Sequence, residues 1–328
     1  MQAGFSQNRQ VLGNCGVGYS DKYTYLFGHH RVPDAFREAR FDPAGYLATD
    51  IRAAFLTHDI NVISSEEFAK LRLCELERVK TLFSDCAIRL IYVLRHPMTM
   101  FPSLWQEMVK HGADLTFHDF IETASGRAND YDPETYSNIR QLNRMEAVFG
   151  REALSLPVFE NITASGEDLF EYVVHSYLIP KVQAPDFTKA TEHSNASLAP
   201  HFIELIRCMN LVCREDISEQ LVIKTDAAFH RHFHKIVTDP GFEAFSAALQ
   251  RNWKTVGLSQ ADDLFLQEDR LILERYGDLI PNKAGHDQIR HSAENATREV
   301  PYAERRWIHA EGQVDYIRDL IRTYVLAG

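Results

Sequence analysis

The chain has 328 residues and a formal net charge of −11, with 45% hydrophobic and 25% charged residues. That length can bury a large core, and the composition is that of an ordinary globular protein. The acidic balance excludes broad electrostatic binding of nucleic acid, although a few local cations can still hold a small anionic ligand. No stretch approaches the roughly 20 apolar residues of a membrane helix, so no membrane partner is expected.

The start of the chain and its cysteines indicate an intracellular setting. The first residues, MQAGFS, have neither the basic flank nor the apolar run of a secretion signal, so we expect a cytoplasmic protein. The five cysteines form no CxxC pair, which favours reduced thiols. Cys208 and Cys213 fall in one helical pattern, where packing is expected rather than metal binding.

Two apolar, β-branched segments, residues 59–65 and 88–94, are typical of buried parallel strands. Apolar residues at helical spacing between 66 and 83 predict a connecting helix, and together the three form a βαβ unit. Further along, the pattern predicts helices over 99–111, 136–149 and 167–178 and a strand over 153–160. Pro157 within that strand suits an edge or bulged position.

Beyond residue 200 the pattern is helical almost throughout, over 200–212, 242–253, 261–276 and a terminal helix ending near 326. The sequence therefore predicts an α/β core over residues 1–200 and a helical C-terminal portion over residues 201–328 packed on it. The expected core is a sandwich with a central parallel sheet flanked by helices.

The most informative segment is the strand over 88–94, which ends in Arg95 before Pro97 turns the chain into a helix carrying Ser103. In open parallel sheets, ligands bind beyond the carboxyl ends of the strands. A guanidinium and a hydroxyl there, helped by N–H groups without partners at the helix start, would suit a phosphate monoester.

These residues resemble the family of sulfotransferases that use 3′-phosphoadenosine 5′-phosphosulfate (PAPS). In that family an arginine, a proline two residues on, a serine eight residues on and then an aromatic residue occupy the places of Arg95, Pro97, Ser103 and Trp105. The resemblance implies a fold related to P-loop nucleotide kinases and a donor 3′-phosphate held by Arg95 and Ser103. Met100 stands where a second basic residue is common.

Further segments are similar to the same family, as in its bacterial members with carbohydrate-type acceptors. The stretch Val62–Glu66 resembles the family's strand ending in Ser-Ser-Glu, and Leu156–Glu160 resembles its strand ending in an aromatic residue and glutamate. The family's first strand and its Lys-Thr-Gly phosphate loop are not found in the sequence. Two interpretations follow: the native chain extends upstream of Met1, or the protein is a remnant without efficient sulfate transfer.

An acceptor hydroxyl needs a general base within hydrogen-bond reach. His29 and His30 lie where relatives often place a histidine facing the acceptor, and Glu66 ends a predicted strand. We take His30 and Glu66 as the candidate catalytic residues. The alternatives are structural: a surface loop for the histidines, and for Glu66 the first turn of its helix, where the helix dipole favours a carboxylate.

Other residue patterns favour structural interpretations. Arg95 could instead cap a neighbouring helix or pair with a surface carboxylate, and Trp105 is expected in the core. The run Gly13–Gly18 is interpreted as a turn, because no strand precedes it. Three histidines with alternate spacing, His230, His232 and His234, lie in a helical context that favours a solvated face, so no metal site is expected.

The expected reaction is transfer of a sulfuryl group from PAPS to a hydroxyl or amine of a glycan or small metabolite, with 3′-phosphoadenosine 5′-phosphate (PAP) as product. Two alternatives remain: a non-catalytic remnant that binds nucleotide, glycan or a protein partner, and a phosphoryl-transfer enzyme on the same scaffold. The latter is disfavoured because neither a P-loop lysine nor a carboxylate pair for Mg²⁺ is visible. The acceptor and the oligomeric state stay open.

Overall fold

The structure is a computed structural model that describes residues 1–25, 28–124, 137–179, 187, 198–217, 225–259, 263–281, 297–310 and 312–326. The chain forms two compact units. The first comprises Met1–Arg95, Glu134–Ser194 and Gln267–His291, and the second comprises His96–Pro133, Asn195–Leu266 and Ser292–Gly328. Each unit contains segments from both sides of residue 200.

Helices dominate the described residues. In chain order they are α1 Gln2–Gln7, α2 Arg9–Asn14, α3 Arg31–Arg37, α4 Tyr46–Phe55, α5 Leu73–Leu82, α6 Pro97–Lys110, α7 Phe117–Ala124, α8 Asn138–Phe149, α9 Phe159–Ala164, α10 Leu169–Val173, α11 Pro200–Val212, α12 Thr225–Arg231, α13 Phe233–Val237, α14 Pro240–Arg251, α15 Asp263–Tyr276, α16 Arg305–Ala310 and α17 Gln313–Leu320. Short 3₁₀ turns cover Glu66–Lys70, Arg151–Ala153 and Gly277–Leu279, and π-helical turns cover Val174–Leu178, Cys213–Ile217 and Ile321–Leu326.

The strands are short and form three separate pairs. They are β1 Val17–Gly18, β2 Ile60–Asn61, β3 Leu90–Ile91, β4 Leu154–Ser155, β5 Lys254–Ser259 and β6 Thr297–Tyr302. β1 pairs in parallel with β2, β3 pairs in parallel with β4, and β5 pairs antiparallel with β6. The α/β class is therefore confirmed, whereas a single central parallel sheet is not formed by the described residues.

The strand pairing in the structure differs from that of the predicted βαβ unit. The helix between its strands is present as a 3₁₀ turn followed by α5, but within the described residues β2 and β3 pair with different partners. The β3–β4 ladder is short because Pro157 has no N–H to donate. Pairing resumes one step later, where Leu94 N–H donates to the Pro157 carbonyl and Phe159 N–H donates to the Leu94 carbonyl. The described ladder is thus interrupted at Pro157, the residue for which the sequence predicted an edge or bulged position.

The first unit has two buried clusters. One gathers residues of α3, α4, α5, α8 and β4, among them Phe36, Phe55 and Leu142. The other packs α1, α2 and β1 against α10, with Phe5 stacked on Tyr19 at 5.3 Å between ring centroids. Burial of these aromatic side chains contributes about 1.5–3 kcal/mol each to stability. They hold the ends of β1 and β2 in place.

The second unit is built around α11, whose residues Ile203–Val212 are all buried. The predicted bounds of this helix are confirmed, and so is the packing of Cys208 and Cys213, which are both buried. Trp105 is 1% exposed and donates its Nε1–H to the Leu115 carbonyl at 3.0 Å, which confirms its core position.

The six-residue β5–β6 pair corrects the expectation of an almost wholly helical C-terminal portion. In register, Val256 pairs with Val300, and Leu258 is buried beside them. The alternation over Lys254–Ser259 is the strand signal, and the partner strand lies far along the sequence, so local pattern alone does not reveal the pairing. Within the described part of the chain, no helix has the length and apolar character needed to cross a bilayer.

Candidate functional site

The carboxyl ends of β1 and β2 lead into one cluster of polar side chains. Beyond β1 the chain reaches Gly28, His29 and His30, and beyond β2 it reaches Ser64, Ser65 and Glu66. The parallel ladder continues between them, because Val62 N–H donates to the Gly18 carbonyl at 2.9 Å. Ends of neighbouring parallel strands are where ligands bind in α/β folds.

His29 joins the two segments. Its backbone N–H donates to the Ser64 carbonyl at 2.8 Å, and its Nδ1 accepts the Ser64 N–H at 3.0 Å. Its Nε2 lies 2.7 Å from the Ser20 carbonyl oxygen. An N–H can only donate and a carbonyl can only accept, so His29 is the neutral Nε2–H tautomer.

The surroundings of His29 keep its ring neutral. The ring is fully buried, between Tyr19 at 4.4 Å and Phe55 at 4.8 Å. Burial lowers the pKa of His29, and the hydrogen bond to the Ser20 carbonyl opposes that shift. Because both ring nitrogens have hydrogen-bond partners, His29 has a structural role and connects the loop after β1 to the end of β2.

His30, the candidate base, is half-buried at the start of α3. Its Nδ1 lies 3.1 Å from Ser65 Oγ. The same hydroxyl oxygen accepts the Glu67 N–H at 3.2 Å and so caps the 3₁₀ turn over Glu66–Lys70. Ser65 thereby links the orientation of the His30 ring to the end of β2.

The other ring nitrogen of His30 faces Gly28. A methyl group at Gly28 would put its carbon 2.6 Å from His30 Nε2 and 2.6 Å from Gln2 Oε1. The φ angle of Gly28 is outside the left-handed region, so its backbone does not require glycine. The missing side chain instead lets the His30 ring and the Gln2 amide approach the Gly28 backbone closely.

Glu66 is exposed and joins this cluster through Gln2. Gln2 Nε2 donates to Glu66 Oε2 at 3.3 Å, which turns Gln2 Oε1 toward Gly28. The two candidate catalytic residues therefore belong to one closely packed cluster at Gly28, His30 directly and Glu66 through the Gln2 amide. The sequence signal for Ser65 was readable, since a serine before two glutamates is typical of a helix cap. Nothing local in the sequence pointed to Gly28.

Arg95 lies at the carboxyl end of the β3–β4 pair, also in the first unit. Its guanidinium carbon stands 4.8 Å from the centroid of the Phe159 ring, a cation–π distance. Its carbonyl accepts from Asn138 Nδ2 at 3.3 Å, and Tyr92 OH donates to Asn138 Oδ1 at 2.7 Å. These hydrogen bonds therefore connect the strand end that carries Arg95 to the start of α8.

The side chain of Glu268 lies at the start of α8. The carboxylate Oε1 accepts from Ser137 Oγ at 3.0 Å and from the Ile139 N–H at 3.1 Å. Burial raises the pKa of Glu268, and these two hydrogen bonds oppose the rise. This helix terminus is thus occupied by a side chain of the protein itself, as the helix dipole favours.

Ser103 belongs to the second unit and lies in α6, which begins at Pro97 as the sequence indicates. Its Oγ donates to the Thr99 carbonyl at 3.1 Å. A phosphate oxygen would have to attract that hydroxyl hydrogen away from the helix backbone. The roles of Arg95 and Ser103 in holding a 3′-phosphate stay predictions.

The N–H groups at the start of α6 are not without partners, contrary to expectation. The Met98 N–H donates to His96 Nδ1 at 3.1 Å, and the N–H groups of Thr99 and Met100 donate to the His96 carbonyl at 3.0 and 2.9 Å. Pro97 has none to offer. The cap formed by His96 explains the difference, because a histidine at this position satisfies donors that the sequence pattern left open.

Two other segments that the sequence singled out lie in turns and short helices. Gly13–Gly18 forms the end of α2, a turn at Gly16 with φ +79°, and β1. The triple histidine segment is helical, over α12 and α13. The described residues hold no group of three or more His, Cys, Asp or Glu side chains that could bind a metal ion.

Comparisons with protein-family models, curated proteins and solved structures found no match for this chain.

Proposed function

We propose that this protein is a sulfuryl-transfer enzyme that takes PAPS as donor and a hydroxyl or amine of a glycan or small metabolite as acceptor. The observation that carries the proposal is the cluster at Gly28. There His30 Nε2 and Gln2 Oε1 both lie close to Gly28, and Glu66 orients Gln2. An imidazole nitrogen is a fitting base for an acceptor group.

In the proposed reaction the acceptor oxygen attacks the sulfur of the donor. A new O–S bond forms, while the bond between sulfur and the 5′-phosphate oxygen breaks and its electron pair leaves with PAP. The acceptor proton goes to His30 Nε2. Positioning of the reactants supplies much of such an acceleration, so side chains that fix His30 are as important as the base itself.

Donor binding is proposed at Arg95. The Arg95 guanidinium lies over the Phe159 ring, and the Arg95 carbonyl accepts a hydrogen bond from Asn138. Both contacts favour one orientation of the guanidinium. A guanidinium recognises phosphate by paired N–H donors, worth about 1.5–3 kcal/mol for a charged hydrogen bond. The 3′-phosphate, which PAPS and PAP share and ATP lacks, is the group we assign to it.

A titration with PAP tests this assignment. Arg95→Ala is expected to weaken PAP binding on the order of 10- to 100-fold, which corresponds to loss of a charged hydrogen bond. Arg89→Ala is the matched control, because Arg89 is exposed at the opposite end of the same strand. Equal PAP affinity in wild type and Arg95→Ala would remove the 3′-phosphate assignment. Tighter binding of ATP than of PAP would favour phosphoryl transfer instead.

A non-catalytic binding protein is the second candidate function. It is favoured by the start of α6, where the N–H groups of Met98, Thr99 and Met100 already have partners. Incubation with radiolabelled PAPS and a panel of glycans and hydroxylated metabolites separates the two. Label transfer that His30→Gln abolishes supports the enzyme. PAP binding without transfer to any acceptor supports the binding protein.

A further inference from the structure

The hydroxyl of Ser65 is the only group that the structure pairs, among the described residues, with His30 Nδ1. Its oxygen already accepts the Glu67 N–H, and it retains one more lone pair and one hydrogen. Two arrangements are chemically possible: the hydroxyl donates to Nδ1, or it accepts an N–H from Nδ1. They correspond to opposite tautomers of the His30 ring, with opposite consequences at Nε2.

We propose that Ser65 is a positioning residue that holds His30 as the Nδ1–H tautomer. This inference rests on the proposed function, which needs Nε2 free of its proton; Nε2 lies beside Gly28 and Gln2. In this arrangement Ser65 Oγ accepts from both Glu67 N–H and His30 Nδ1–H. Ser65 is half-buried, so its own hydrogen remains available to water.

The neighbouring residue supplies a matched control. Ser64 contributes to the site through its backbone alone, by its N–H to His29 Nδ1 and its carbonyl to His29 N–H. Ser64→Ala therefore keeps both contacts, whereas Ser65→Ala removes the partner of His30. Ser65→Thr keeps a hydroxyl and a residue that caps helices well.

The first test is independent of any transfer activity. Long-range ¹H–¹⁵N NMR reports which nitrogen of a neutral histidine carries the proton, and His30→Gln identifies the His30 signals. We expect the Nδ1–H form in wild type, Ser64→Ala and Ser65→Thr, and a shift toward Nε2–H in Ser65→Ala. An Nε2–H ring in the wild type would overturn the inference, as would an unchanged ring in Ser65→Ala. If Ser65→Ala does not fold, the wild-type and Ser65→Thr spectra still decide.

The second test uses transfer from PAPS. Loss of one hydrogen bond to a neutral group corresponds to a decrease in kcat of roughly 3- to 10-fold for Ser65→Ala, with rescue by Ser65→Thr. A decrease confined to KM would contradict a role through the base. If the tautomer changes as expected but no acceptor is sulfated, the proposed function fails while the pairing of Ser65 with His30 stands.

Discussion

Breaking the buried ion pair of α11 should lower the free energy of unfolding by an unusually large amount. Arg207 and Glu204 are 1% and 0% exposed at their side chains, and Arg207 Nη2 lies 2.8 Å from Glu204 Oε2. Arg207 also donates to the carbonyls of Asp114 at 3.1 Å and Ala303 at 2.7 Å. Burial lowers the pKa of Arg207, but Glu204 outweighs this effect and keeps it above its ordinary value.

Replacing Arg207 by Met keeps most of the side-chain volume but leaves the Glu204 carboxylate buried with the Ala303 N–H at 3.1 Å as its remaining donor among these contacts. Two backbone carbonyls lose their donor at the same time. Breaking a buried pair in this way costs about 3–5 kcal/mol. Since natural domains are stable by about 5–15 kcal/mol, the variant should lose a large part of its free energy of unfolding.

Urea unfolding followed by circular dichroism measures the loss. Arg322→Met is the control, because Asp319 and Arg322 have the same three-residue spacing but side chains 73% and 68% exposed. It should show no measurable change. Equal losses in both variants would refute the reasoning.

Two further predictions concern the cluster at Gly28. Gly28→Ala should reduce PAPS-dependent kcat/KM at least 10-fold, because the added methyl group would lie 2.6 Å from His30 Nε2, while overpacking costs about 1–3 kcal/mol of stability. Gly13→Ala, with 3.8 Å to its nearest neighbour, should keep full activity, and equal activity of the two variants would contradict a role for the close packing at Gly28. The lowered pKa of buried His29 means that the unfolded state binds more protons below about pH 6.5. The urea midpoint should therefore fall as the pH drops from 7.5 to 5.5, and His29→Gln should flatten this dependence; an equal slope in both proteins would count against it.

Local sequence patterns were sufficient for many of the helices. The bounds of Pro200–Val212 follow from its proline at the start and its apolar periodicity. The end of α8 at Gly150 follows from a glycine that adopts φ +88° there. The order of strand, Arg95, Pro97 and helix is likewise as predicted. These features depend on neighbours within a few residues, which is the range that periodicity and capping residues report.

Pairings between distant segments required the tertiary structure. No local sequence feature specifies that β2 pairs with β1 or that β5 pairs with β6, because packing across the whole unit determines the strand partners. From the sequence both His29 and His30 could face an acceptor, and His30 was the candidate base. Only the fold gives their surroundings, because it buries the His29 ring between two backbone segments and places His30 Nε2 beside Gly28 and Gln2.

The resemblance to PAPS-dependent sulfotransferases was inferred from the sequence alone, through the motif at Arg95 and Ser103, and it remains a proposal. What the tertiary structure decided is where candidate side chains have their partners. Ser103 donates within its helix, and His96 satisfies the donors at the start of α6. His30 is paired with Ser65 across 35 residues of sequence. A hydrogen bond depends on distance and direction in space, and residue spacing along the chain specifies neither for segments this far apart.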